Sequence, residues 1–133
     1  MLDINNSKKR IFKYLFMSIF FMIFGIIYES FSHNVYSNYM MYAFLIPLFG
    51  MVVYGIIYIF ELNKYYSEFA MKIFNSSIIT FTFGSVIKGV LEIYGTTNKL
   101  ITIYLIFGTI MIILSIIINI IYNNKKGDIK NEK

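Results

Sequence analysis

The stretch Leu100–Tyr122, LITIYLIFGTIMIILSIIINIIY, runs 23 residues without an Asp, Glu, Lys, Arg or His. As a helix it would extend about 35 Å at 1.5 Å per residue, enough to cross the roughly 30 Å hydrocarbon layer of a bilayer. Three further stretches upstream, Phe12–Tyr28, Tyr39–Phe60 and Ile73–Tyr94, approach or exceed the same length. Together they predict an all-α fold, a four-transmembrane-helix bundle in which residues 1–133 form a single domain. The links Glu61–Lys72 and Gly95–Lys99 are short, so consecutive helices are expected to lie as antiparallel neighbours.

Composition agrees with that reading. Hydrophobic residues make up 58% of the chain and charged residues 14%, against about 45–50% and about 25% in soluble domains, which leaves no room for a soluble domain of useful size. The chain has no cysteine, which excludes disulfides, thiolate metal sites, iron–sulfur clusters and dithiol redox chemistry. The richness in Ile, Asn, Lys, Tyr and Phe resembles the bias of an AT-rich bacterial genome.

The net charge of +5 is a topology signal, because the basic residues fall at alternate ends of the predicted helices. Lys8, Lys9, Arg10 and Lys13 precede the first span. Lys64 and Lys72 flank the link between the second and third, and Lys125, Lys126, Lys130 and Lys133 follow the fourth. Only Lys88 and Lys99 belong to the other side. The positive-inside rule then puts both termini in the cytoplasm of a multi-pass bacterial cell-membrane protein, N-in and C-in. The lipid bilayer is the expected partner, and nucleic-acid binding is not expected. The basic start and the small residues Ser30 and Ser32 imitate a secretory signal, but the apolar run is long and Glu29 adjoins the cleavage position.

The third span carries the candidate chemistry. A lysine at a helix centre costs about 2.5–3.5 kcal/mol of insertion free energy. Lys88 lies about 10 Å below Gly95 by helical rise, within partial snorkelling reach of the interface. Two readings follow: a structural lysine paired with Glu92 or Glu29, or a charge facing a hydrated cavity. At 100° per residue Ser77, Gly84, Lys88 and Glu92 share a stripe, with Ser85 at its edge. Ser18, Gly25, Glu29 and His33 repeat the same intervals of seven, four and four in the first span. That match suggests a parallel two-helix repeat about an axis along the membrane normal. On the fourth span Tyr104, Gly108, Ser115 and Asn119 share a face, a helix-packing seam or homodimer contact.

Glu29, His33, Lys88 and Glu92 are thereby expected at one depth near the external end, as a ligand or proton site. Ser18, Gly25, Ser77, Gly84, Gly108 and Ser115 form the helix-packing stripes. The functional expectation is binding or transport of a small polar solute, ion or proton. The alternative is a non-catalytic accessory or regulatory subunit with a membrane-protein partner and a structural salt-bridge cluster. No cofactor is expected; a lone histidine, even with Glu29 and Glu92, makes a poor metal site, and haem on His33 is a minor reading. No catalytic motif is present, so the chain is not read as an enzyme. Pro47, with Gly50 and Gly55, is expected to kink the second span.

The segments Tyr28–Gly50, YESFSHNVYSNYMMYAFLIPLFG, and Ser85–Asn98, SVIKGVLEIYGTTN, resemble those of small uncharacterised four-helix integral membrane proteins of Gram-positive bacteria. The resemblance covers most of the chain and implies only an integral bacterial membrane protein. Small multidrug exporters carry a glutamate in the middle of their first helix, whereas Glu29 closes the first span here. Fluoride channels share a Phe-, Ser- and Thr-rich third helix, echoed by FNSSIITFTFGS, without their glycine and arginine motif being present in this first span.

Overall fold

The computed structural model describes residues 1–32 and 35–131, and for 128–131 the backbone only. The described residues form helices and no strands: α1 (Ile4–Ser30), α2 (Asn38–Met41), α3 (Leu45–Ile59), α4 (Glu68–Ile93) and α5 (Thr102–Asn131), with 3₁₀ turns at Leu62–Tyr65 and Lys99–Ile101. Four helical segments are long and apolar enough to cross a membrane: Ile4–Ser30, Asn38–Ile59, Glu68–Ile93 and Lys99–Gly127.

The helices outrun the apolar stretches that announce them. Asp3 caps α1 by accepting a hydrogen bond from the Asn5 amide at 3.2 Å, so the helix begins eight residues before Phe12 and carries Lys8, Lys9 and Arg10 in regular turns. Similarly, α5 continues past Tyr122 through Lys125 and Lys126. Hydropathy marks the part of a helix that sits in lipid, whereas capping decides where the helix starts. At the other end of α4, Gly95 adopts φ +70°. Its amide reaches Glu92 O at 3.0 Å and the Thr96 amide reaches Leu91 O at 2.9 Å, the paired bonds of a Schellman motif, for which glycine is the favoured residue.

The second span is broken rather than smoothly kinked. Pro47 has no N–H, and its ring would collide with the carbonyl four residues back, that of Ala43. The chain responds by turning at Tyr42–Phe44 between α2 and α3, with Leu45 N to Tyr42 O at 3.0 Å and Ile46 N to Ala43 O at 3.3 Å replacing the regular ladder. Pro47 therefore sits in the first turn of α3, where a missing donor costs little.

Two helical hairpins, α1 with α3 and α4 with α5, join chiefly through α2 and α3 against α4. The interior mixes polar with apolar side chains, and the exterior is apolar. Ser7, Ser18, Ser37, Asn63, Ser77, Thr82 and Ser115 are buried, while Phe16 is 73% exposed and Ile26 63%. Such an apolar exterior is expected where lipid is the solvent. The apolar core proper, Leu2, Tyr14, Tyr54, Ile57, Met71 and Ile78, lies in the half nearer the termini. There the Leu2 amide donates to Tyr66 O at 2.9 Å and Asn63 O at 3.2 Å, and Lys126 Nζ donates to Lys64 O at 2.9 Å. Leu2 and Lys126 thus both meet the turn between the second and third spans.

Candidate functional site

The hydroxyls of the packing stripes bond neighbouring backbone carbonyls, and Gly84 and Gly108 lie against neighbouring side chains. Ser18 Oγ donates to Phe44 O at 3.0 Å, Ser77 Oγ to Gly108 O at 2.8 Å and Ser115 Oγ to Ala70 O at 2.7 Å. A Cβ on Gly84 would lie 2.8 Å from Tyr104 Cβ, and one on Gly108 2.8 Å from the Phe81 ring. Asn119 Oδ1 accepts from the Ser67 amide at 3.0 Å, at the N-terminus of α4. Small side chains here allow close approach, and hydroxyls tie one helix to the next.

Gly25 and Gly89 both face Met40. A Cβ on Gly25 would come within 3.2 Å of Met40 O, and one on Gly89 within 2.7 Å of Met40 N. Thus α2 is wedged between α1 and α4 at the end far from the termini. This wedge gives the expected ionisable cluster separate surroundings. Glu92 Oε2 accepts from Ser37 Oγ at 2.7 Å, and Lys88 Nζ lies 3.6 Å from the centroid of the Tyr39 ring, a close cation–π contact. Among the described residues no carboxylate lies within 4.0 Å of Lys88 Nζ, so the pairing expected with Glu29 or Glu92 is replaced by an aromatic face. Glu29 stands apart on α1 with a buried Oε1 that has no hydrogen-bond partner. His33 lies outside the described residues.

Lys88 borders two cavities. One, of about 200 Å³, is mainly apolar and is lined by Tyr39, Ile46, Phe81, Gly84, Ser85, Lys88, Ile101, Tyr104 and Leu105. The other, of about 120 Å³, is lined by Lys88, Leu91, Glu92, Thr96, Thr97, Asn98, Ile101, Thr102 and Leu105. Lys88, Ile101 and Leu105 are walls of both. A larger opening of about 440 Å³ between the ends of α1 and α4 is walled by Phe24, Ile27, Tyr28, Phe31, Ser32, Ile93 and Tyr94, with no charged side chain.

A second polar constellation lies near the termini, and residue patterning did not single it out. Arg10 forms an ion pair with Glu68 and donates to Tyr54 Oη at 2.9 Å. Tyr54 Oη donates to Asn75 Oδ1 at 2.9 Å, and Tyr14 Oη donates to the same atom at 2.6 Å. The Tyr14 and Tyr54 rings stack with centroids 5.8 Å apart. This chain of bonds links α1, α3 and α4. Its one available signal was that Arg10 is the sole arginine in a chain otherwise using lysine, and arginine suits bidentate, partly buried pairing where lysine does not.

No family model matches this chain, nor does any curated protein or solved structure.

Proposed function

We propose that this chain is an integral protein of a bacterial cell membrane, with both termini in the cytoplasm, that binds a small ligand bearing negative charge at Lys88 in the outer half of the bilayer. The observation that carries the reading is that Lys88 lines two cavities while its ammonium group lies against an aromatic face, with no carboxylate within 4.0 Å of it among the described residues. A desolvated cation–π contact contributes about 2 kcal/mol, against about 2.5–3.5 kcal/mol for a lysine at membrane depth. An anion would offset the remainder. Proton relay is less well supported, because Glu29, Lys88 and Glu92 are not linked to one another by hydrogen bonds or ion pairs. The accessory-subunit reading would rest on the far face of α5, but an apolar face in lipid needs no protein partner.

The orientation follows from the basic residues at one end of the bundle. A parallel two-helix repeat is supported by matched contacts in the two hairpins. Ser18 bonds Phe44 O and Ser77 bonds Gly108 O, each from the ascending helix to its descending neighbour.

Native mass spectrometry of protein purified in mild detergent tests the binding. Wild type should retain an anionic adduct that Lys88→Met and Lys88→Gln lose while remaining folded. Equal retention in all three overturns the reading. Reporter fusions after Asn124 and within Leu62–Ser67 should report cytoplasm and a fusion after Thr97 the exterior; an external C-terminus overturns the topology.

A further inference from the structure

Resting on the anion site at Lys88, we infer that the ligand is a single-chain zwitterionic phospholipid, with the first part of its acyl chain in the apolar cavity, its phosphate at Lys88 and its ammonium group at Glu92. The two cavities that share Lys88 differ in character. The one lined by Phe81, Gly84 and Tyr104 is mainly apolar, and the one lined by Glu92, Thr96, Thr97 and Asn98 presents carboxylate, hydroxyl and amide groups. A molecule filling both must be apolar at one end and polar at the other. Lys88 stands where the change occurs.

The order of charges along α4 selects the head group. Glu92 is one turn beyond Lys88, about 6 Å along the helix axis, and toward the helix end at Ile93. A ligand entering tail-first would meet a cation deep and an anion shallow. Its own anion must therefore adjoin the chain and its cation must lie outermost, the order found in a phosphate ester of a two-carbon amino alcohol. A fatty acid would leave Glu92 facing no positive charge, and a phosphoglycerol head would offer it only neutral hydroxyl donors, without a countercharge. Ser37 occupies only one oxygen of Glu92, and Lys88 Nζ has no hydrogen-bonded acceptor among the described residues, so both groups retain capacity for a ligand.

The size of the apolar cavity limits the tail. At about 200 Å³ it falls below the roughly 300–1,000 Å³ of pockets that enclose a whole drug-sized ligand, so it takes only the first part of one chain, the rest lying in the bilayer, and leaves no room for a second chain beside it. Burial of that chain supplies little selectivity, because bilayer lipid solvates it as well as the protein does. Discrimination therefore rests on the head group.

The test uses the whole protein in mild non-ionic detergent. Lysophosphatidylethanolamine, lysophosphatidylglycerol, a fatty acid of equal chain length and diacyl phosphatidylethanolamine compete for retention, read by native mass spectrometry. Wild type should hold lysophosphatidylethanolamine about tenfold more tightly than lysophosphatidylglycerol, the ratio expected for one charge-assisted contact. Glu92→Gln, whose amide carbonyl can still accept from Ser37, should erase that ratio, and Lys88→Gln should weaken both lipids. Equal, Lys88-dependent retention of the two lysolipids, or preference for the fatty acid or the diacyl lipid, overturns this inference and leaves the anion site standing. Retention indifferent to Lys88 overturns both.

Discussion

Replacing Arg10 by methionine removes the cation of the Arg10–Glu68 pair and the donor to Tyr54 at once. Each hydrogen bond to a charged group contributes about 1.5–3 kcal/mol. The side chains are 15% and 29% exposed, so the pair falls between an exposed bridge, at about 0–1 kcal/mol, and a buried one, whose one-sided loss costs about 3–5 kcal/mol. Glu68 Oε2 already lacks a hydrogen-bond partner, and losing Arg10 leaves the carboxylate with no countercharge within 4.0 Å among the described residues. We expect Arg10→Met to destabilise the protein by about 2–3 kcal/mol, and Glu68→Met by a similar amount. The double variant should be less destabilised than the sum of the two by at least about 1 kcal/mol, since neither charge is then left unpaired. Equilibrium unfolding in mixed micelles of a mild detergent and dodecyl sulfate, followed by circular dichroism across the four-variant cycle, measures this coupling. Additive losses, or an Arg10→Met cost below about 0.5 kcal/mol, would refute the assignment of the pair as the tie between α1 and α4.

Two glycine substitutions should separate close packing from helix propensity. Gly89→Ala would drive a Cβ into the Met40 backbone and should cost about 1–3 kcal/mol, whereas Gly55→Ala meets nothing within 4 Å and should be neutral or stabilising by up to about 1 kcal/mol. Thermal unfolding in detergent ranks them, and equal effects would remove the argument for a wedged α2. Ser115→Ala deletes the hydroxyl bonded to Ala70 O and should destabilise by about 0.6 kcal/mol, the average for such a bond between membrane helices. The same unfolding measurement resolves it, and a stabilised variant would contradict it.

The four apolar helices were legible because apolar length is a property of a contiguous segment, and Leu100–Tyr122 displays it without interruption. Helix ends were less legible, since Asp3 and Gly95 act through single capping contacts that hydropathy does not register. Helical periodicity put Lys88 and Glu92 on one stripe. Their immediate neighbours, Tyr39 and Ser37, could not be read from it, because Tyr39 lies in, and Ser37 immediately precedes, a short helix that exists only where Pro47 interrupts the second span. The same interruption explains why Glu29 stands apart from Lys88: α2 occupies the space between their helices. Arg10, Tyr54, Glu68 and Asn75 lie on three different elements, and no spacing along the chain announces a meeting between elements.

The break at Tyr42–Phe44 ties together positions that are distant in the chain. With Ala43 N bonded to Met40 O at 3.3 Å, the Tyr39 carbonyl is turned over to Ser85 Oγ at 2.7 Å, while Phe44 O keeps its helical partner, Leu48 N at 3.2 Å, and accepts from Ser18 Oγ at 3.0 Å as a second bond. In a bilayer the Tyr39 carbonyl has no water to fall back on. Pro47 and Ser85 therefore behave as one heritable trait spread over two helices. A descendant that loses the proline and straightens the span removes the need for the Ser85 hydroxyl, and one that keeps the proline is held to a hydroxyl, or another small donor, at position 85.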